Sequence, residues 1–249
     1  MSLNPWQVNL FRQAGFMRLP QPLPEKMVAG LKKAIWESIE EEREPLGRGE
    51  DGSIVRVSNV LEREPIFWEA ATSPLVLDPL AGILGPNIEM LRNRHNHATL
   101  VTGASRRGAY FHRDCLTWTR NIVTVIFLLE ESTALKGCTR VVPGSHTLPW
   151  ADIVSNHPEE PNLVGWDLLG QEVLVEMPAG GMLAIDSQIL HAQGVNRTDE
   201  TRMSMTLGYS AVDELASMEE PERFLVRGQR LRQGSSYSRG PGAERIRQA

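Results

Sequence analysis

The sequence predicts a mainly β fold, a sandwich or jelly roll with helices at its N-terminal end, and three observations predict it. From residue 88 onward the chain divides into many short apolar or alternating runs, glycine and proline punctuate them, and the apolar recurrence changes from helical spacing to a period of two. The 249 residues are expected to form one domain, since β folds of this size often stay single. Within it, 1–87 should be mainly helical support, 88–210 the β core, and 228–249 a flexible tail rich in Arg, Gly and Ser.

The elements follow in order. Pro24 opens a segment in which Val28, Leu31, Ile35 and Ile39 recur at helical spacing with Glu and Lys between them, until Pro45 ends it; this predicts an amphipathic helix packed on a sheet. Residues 46–60, with Gly47, Gly49, Gly52 and mixed charge, are expected to form a lid. Ser73-Pro74 has the form of an N-cap followed by proline in the first turn, and Leu77, Leu80, Ala81 and Leu84 share one face before Gly85-Pro86 stops the helix. Strands are expected at 88–92, 97–101, 109–112, 121–130, 139–142, 172–177, 181–185 and 201–210. Residues 144–171, with Asn156-His157-Pro158 and the tryptophans Trp150 and Trp166, form a long second access-controlling loop whose aromatics either cover a pocket or anchor the loop. The tail carries six arginines from 227 to 247 against Glu244 alone, which predicts solvated disorder, with a substrate-contacting flap as the alternative. No internal repeat is present.

Composition removes some functions. No apolar run reaches membrane-span length and the N-terminus lacks the pattern of a signal peptide, so no membrane partner and a cytoplasmic location are expected. A formal charge of −5 argues against a general nucleic-acid binder. Cys115 and Cys138 are expected to be free thiols. Oligomeric state is not set by the sequence.

The chemistry-bearing residues begin with His112-Arg113-Asp114. On an extended strand, residues two apart point to the same side, so the His112 imidazole and the Asp114 carboxylate can converge on one ion. His191, at the end of an apolar stretch, supplies a third ligand. Two neutral imidazoles and one carboxylate suit Fe(II) and leave positions open for substrate and O2, whereas a closed zinc site would use four ligands, usually with thiolate. A lone H-x-D is weak, since most such pairs are surface or core contacts. Arg202 strengthens it: in Thr201 to Tyr209 the alternation puts Arg202, Ser204 and Thr206 on one face and Met203, Met205 and Leu207 on the other. Either the polar face meets water, or it lines a pocket in which the guanidinium needs an anion. His191 shortly upstream favours the pocket.

Other residues are discounted. His146, in Pro143-Gly144-Ser145-His146, is a structural hydrogen-bonding residue. His95 and His97 share a strand face and mimic a metal pair, but without a carboxylate in matching phase they are assigned to the pocket or core. His157 is a solvated loop residue, and Tyr110, Phe111 and Trp118 form an aromatic wall or simple packing.

Three blocks carry a resemblance: Phe111-His112-Arg113-Asp114; Asn121 to Leu129 running through Gly137-Cys138-Thr139-Arg140-Val141-Val142-Pro143-Gly144-Ser145-His146; and Gly180-Gly181-Met182 through His191, Asn196 and Arg202. In this order they resemble the phytanoyl-CoA dioxygenase-like family of non-haem Fe(II), 2-oxoglutarate-dependent oxygenases, over roughly residues 88–210. The resemblance implies a double-stranded β-helix of the cupin-like jelly-roll kind, His112, Asp114 and His191 as iron ligands, and Arg202 as partner of the distal carboxylate of 2-oxoglutarate. It also implies a hydroxyl contact to that co-substrate from Ser204 or Thr124. The cofactors would be Fe(II), 2-oxoglutarate and O2, and the reaction an oxidation of a C–H bond with release of succinate. Halogenating relatives replace the carboxylate ligand with a small residue; Asp114 is present, which leaves hydroxylation, ring closure, desaturation and epimerisation. For substrate, the resemblance suggests a sugar-containing bacterial natural product, including oxidative cyclisation to orthoester bridges. The alternative is a free amino acid or other small metabolite. That alternative predicts a small closed pocket with another charged clamp, and a glycoside predicts a wide cleft rimmed by polar groups and aromatics. Outside this class stand a metal-binding jelly-roll sensor and a zinc hydrolase, both of which leave Arg202 unexplained.

Overall fold

Helix starts are written by capping residues, and the first of them comes at Asn4. In the computed structural model, which describes residues 1–102, 111–115, 122–148, 169–214 and 223–230 (without the Asn93 side chain), Asn4 and Gln7 exchange side-chain and backbone hydrogen bonds in a capping box. Pro5 follows at the first helical position and α1 runs Pro5–Ala14. It stops at Gly15, whose φ of 79° is the left-handed conformation that closes helices, and the chain passes into β1 (Phe16–Arg18). The expected amphipathic helix is α2 (Glu25–Glu40), with Val28, Leu31 and Ile35 buried. α3 (Pro65–Ala71) precedes α4 (Pro74–Leu84), where the Ser73 side chain caps Leu75 N as expected.

The remaining strands are β2 (Leu46–Arg48), β3 (Ile54–Ser58), β4 (Ile88–Val101), β5 (Ile122–Leu128), β6 (Thr139–Val141), β7 (Val173–Val175), β8 (Met182–Asp186), β9 (His191–Gln193), β10 (Arg202–Ala211) and β11 (Arg223–Arg227). Among the described residues they form a large antiparallel sheet ordered β1-β8-β5-β10-β4-β3-β2, with β11 also on β4, and a small sheet ordered β7-β6-β9. β4 is long enough to carry two neighbours, β11 along 88–91 and β3 along 97–99. The result is the jelly roll that was expected.

Strand alternation builds two cores from one sheet. Val125 and Phe127 of β5, Met203, Met205, Leu207 and Tyr209 of β10 and Ala184 of β8 face the helices, against Leu31, Ile35, Phe67 and Leu80. The opposite faces carry Ile126, Leu128, Leu183 and Ile185, which meet Val141 and Val175 of the small sheet. Each such side chain contributes about 1.5–3 kcal/mol when fully buried. β5 is therefore apolar on both sides, unlike the alternating β10. The Tyr209 hydroxyl donates to Ala71 O at 2.9 Å and ties β10 to α3.

Several expectations need correction. Residues 46–60, the candidate lid, form a hairpin rather than an open loop: Leu46↔Val57 and Gly47↔Arg56 pair at the edge of the large sheet. The two strands at 88–92 and 97–101 are one strand with a bulge. Of 109–112 only the end is described, where His112 forms an isolated bridge. In the loop at 144–171, residues 149–168, with both tryptophans and His157, lie outside the described residues. Its first turn is held to α1 by Gly144 N to Ala14 O at 2.9 Å and by His146 Nε2 at 3.0 Å from Arg12 O, so His146 is structural as expected. Residues 231–249 also lie outside the described residues, but the start of the tail is docked, with Arg230 Nη2 donating to Arg223 O at 2.8 Å. Cys115 and Cys138 are buried and neither is in a disulfide, as expected. No helix among the described residues is long and apolar enough to cross a membrane.

Candidate metal and co-substrate site between the sheets

Backbone pairing brings the two distant histidines together. His112 N donates to His191 O at 3.0 Å and His191 N to His112 O at 3.1 Å, a reciprocal antiparallel pair. Opposed residues of such a pair project to the same face, and the two rings lie 4.4 Å apart between centroids. His191 Nδ1 lies 3.0 Å from Ile189 O. That contact requires the proton on Nδ1 and leaves the Nε2 lone pair for a ligand. Burial lowers the His191 pKa, partly offset by Asp114, which favours the neutral ring that a metal needs.

Asp114 completes the group. Its Oδ1 lies 3.7 Å from His112 Nε2 and 3.6 Å from His191 Nε2, and one ligand atom from each of the three residues falls within 4.8 Å of the others. Its Oδ2 accepts from Thr124 Oγ1 at 2.8 Å and lies 2.9 Å from His95 Nε2. One oxygen is thus held by the protein while the other faces the histidines. Burial would raise this carboxyl, but its interactions with the His191 and His95 rings and the Thr124 hydroxyl outweigh that and hold it well below the usual carboxylate range. The donor set, two imidazoles and a carboxylate on one side of a cavity, fits a divalent first-row cation.

His95 reaches Asp114 because β4 is bulged. Along β10, Gly208 pairs with Leu91, Leu207 with His95 and Thr206 with His97, so Arg92 to Arg94 and then Asn96 have no opposite residue. His95 and Asn96 take left-handed φ values of 69° and 47°, which Asn and His adopt more readily than most residues. The bulge is fastened by Asn96 Oδ1 accepting from Leu61 N at 3.1 Å. It also sends Arg94 Nη1 to the Asp114 carbonyl at 2.7 Å. Bulges re-aim side chains at sites, and here the shift supplies the carboxylate partner that simple alternation denied to His95.

The cavity beside the triad has a volume of about 320 Å³ and runs between the two sheets. Arg202, Ser204 and Thr206 line it from β10, His95, His97 and Thr99 from β4, and Arg56 from β3. Arg202 is 2% exposed, its Nε has no hydrogen-bond partner, and no carboxylate pairs with it among the described residues. Burial pushes its pKa down to about 10, which still leaves it charged at neutral pH. An unpaired buried guanidinium is costly by several kcal/mol, so this arrangement fits an anionic ligand. All six residues singled out in the sequence therefore adjoin one cavity, with one change of part: the Thr124 hydroxyl proton is committed to Asp114. Arg56, Arg94 and the bond from His95 were missed. Val55 and Val57 alternating around Arg56 were the available signal for β3.

Known proteins place this architecture. The chain is similar to the dioxygenase FUM3 of Gibberella moniliformis (strain M3125 / FGSC 7600), 24% identical over 167 residues, 60% of this chain and 50% of that protein. It thus spans about half the length of that relative. The fold is shared with the crystal structure of the non-heme alpha ketoglutarate dependent carbocyclase SnoK from nogalamycin biosynthesis, at a TM-score of 0.74 and 18% identity over 90% of this chain and 96% of SnoK. It is shared also with EctD from S. alaskensis, crystallised with 2-oxoglutarate and 5-hydroxyectoine, at a TM-score of 0.72 and 19% identity over 85% of this chain and 77% of EctD. The sequence model of the family described as phytanoyl-CoA dioxygenase (PhyH) matches residues 11–204, well over half of the chain, from α1 through the triad to Ser204, and the protein belongs to that family.

Proposed function

We propose that this protein is an Fe(II)/2-oxoglutarate-dependent oxygenase that oxidises a C–H bond of a small molecule, by hydroxylation or oxidative cyclisation. One observation carries the proposal: a three-ligand group and a buried guanidinium, its Nε unpartnered and with no carboxylate on it among the described residues, open into the same cavity. A hydrolase or a metal sensor accounts for the ligands and leaves Arg202 with an unexplained cost. When bound, iron with 2-oxoglutarate and O2 supplies a two-electron oxidation coupled to decarboxylation of the co-substrate to succinate. The chain's own residues bind and orient. His112, Asp114 and His191 hold the metal, with Thr124 and His95 fixing the rear oxygen of Asp114 so that Oδ1 is presented. Arg202 takes the distal carboxylate of 2-oxoglutarate, with Ser204 beside it. The apolar side chains of Ile126 and Ala192 complete the cavity wall near the triad.

On substrate, the size of the cavity favours a small metabolite over a glycosylated natural product. The cavity, about 320 Å³, sits at the small end of the range for ligand pockets, roughly 300–1,000 Å³, and must also hold the co-substrate.

Anaerobic titration of the protein with Fe(II) and 2-oxoglutarate, followed by the visible charge-transfer band of the chelate, tests the class. The band should form with the wild-type protein and be lost in Asp114→Ala. Arg202→Ala should keep the metal and weaken 2-oxoglutarate at least tenfold. Metal bound without the band would return the protein to the hydrolase or sensor class.

A further inference from the structure

Charge is unevenly distributed along the cavity, and the imbalance sits at Arg56. This residue lies on β3 opposite Thr99, which in turn faces Ser204 across β4 and β10, so the three form one row from the sheet edge to the co-substrate face. Its stem crosses the face of Gly47, the residue opposite it in the hairpin, where an added Cβ would meet Arg56 Cβ at 3.0 Å. Its head lines the cavity at the exposed end. Among the described residues no carboxylate pairs with it, and the cavity lining contains no acidic side chain besides the adjoining Asp114.

The inference rests on the oxygenase reading. With that site loaded, a divalent metal and the 2-oxoglutarate dianion cancel, and so do Asp114 and Arg202. The histidines contribute nothing negative. Within the cavity lining, the Arg56 guanidinium is then the charge without a counterpart, and it stands at the exposed mouth where an incoming anion would meet it.

Arg56 is also held by a contact that cannot be fully satisfied. Its Nη2 lies 3.0 Å from His97 Nδ1, and the same Nδ1 lies 2.8 Å from His95 O. A guanidinium only donates and a carbonyl only accepts, so one ring nitrogen cannot serve both. If Nδ1 carries the proton, Arg56 lacks an acceptor; if it does not, the carbonyl faces a lone pair. An anion that accepts from Arg56 removes the conflict and lets His97 Nδ1 donate to His95 O.

We propose that Arg56 is the recognition residue for the organic substrate, and that this substrate is a small carboxylate whose acid group is held by Arg56 at the outer end of the cavity while its reacting carbon extends toward the triad. A carboxylate is preferred over a neutral polar group because the planar guanidinium offers two parallel donors to its two oxygens.

The test uses the full chain with Zn(II) in place of iron and saturating 2-oxoglutarate, with ligand-observed saturation-transfer NMR as the readout. The probes are butyrate, hippurate and N-acetylleucine, each against its primary amide. At least one acid should bind tenfold or more tightly than its amide. Arg56→Gln should erase that preference and Arg56→Lys should keep part of it, with 2-oxoglutarate affinity within twofold of wild type in both, and thermal melts should show both variants folded. The inference is overturned if acids and amides bind alike, if none binds, or if the preference survives in Arg56→Gln. Failure of 2-oxoglutarate itself to bind the metal-loaded wild type would instead overturn the oxygenase reading.

Discussion

Asp114 divides its labour between two oxygens, and the division explains why neutral and charged residues surround it in the pattern they do. Oδ2 is occupied by Thr124 and His95 while Oδ1 faces the two ligand histidines, so the carboxylate is oriented before any ion arrives. His97, two residues beyond His95, is governed instead by burial, which lowers its pKa from 6.5 to about 4; the His95 carbonyl opposes this more weakly, and the Arg56 charge adds a smaller lowering of its own. The folded ring stays neutral where the unfolded one takes up a proton. The stability this provides is present above pH 6.5 and is lost as pH falls through about 4. Its size is on the order of 2 kcal/mol, once the ring's partial exposure is discounted. Urea unfolding of the metal-free protein between pH 7.5 and 4.5 should show this loss in the wild type, and a visibly shallower decline in His97→Gln.

At the level of elements, the bulge in β4 separates what the sequence states from what it withholds. α2 and α4 are legible because apolar spacing and capping residues are local, and β5 because a run of seven buried residues has no other reading at that length. β4 is legible only in halves, since nothing in Arg92-Asn93-Arg94-His95-Asn96 announces where the ladder with β10 is interrupted. The same break hid the partner of His95, because alternation assigns faces only while the register holds. β9 is three residues long, too short for any pattern, and the glycines of the β2–β3 hairpin outweighed its alternating valines. The bulge should also be mechanically coupled to the site. Asn96→Ala removes the bond to Leu61 N and places a less tolerant residue at φ 47°, so it should destabilise the protein by about 1–3 kcal/mol. Because His95 rides on the same bulge, metal affinity should fall about tenfold. Calorimetric unfolding together with metal titration checks both; a stability loss with unchanged metal affinity would show that His95 is positioned by something else.

Over the whole molecule, His112, Asp114 and Arg202 were legible from two-residue spacing on extended runs, and His191 from its place at the end of an apolar stretch and from the family resemblance. Arg56 was not, since its path to Ser204 runs through the neighbours β3, β4 and β10, an adjacency that no local pattern encodes. The reciprocal pair between His112 and His191 has a consequence of this long-range kind. It joins two distant parts of the chain by a bridge of two backbone bonds that is isolated among the described residues. An ion held by both imidazoles would act as a removable cross-link between these two parts of the chain, added to a bridge of only two backbone bonds. Hydrogen exchange should register this locally: amides of His112 and His191 should slow at least tenfold on adding Zn(II) and return to their former rates with a chelator, while those of β5, deep between two cores, should hardly change. The seam that carries the chemistry would then be the seam that metal starvation opens first, exposing the unoccupied site to degradation ahead of the scaffold that holds it.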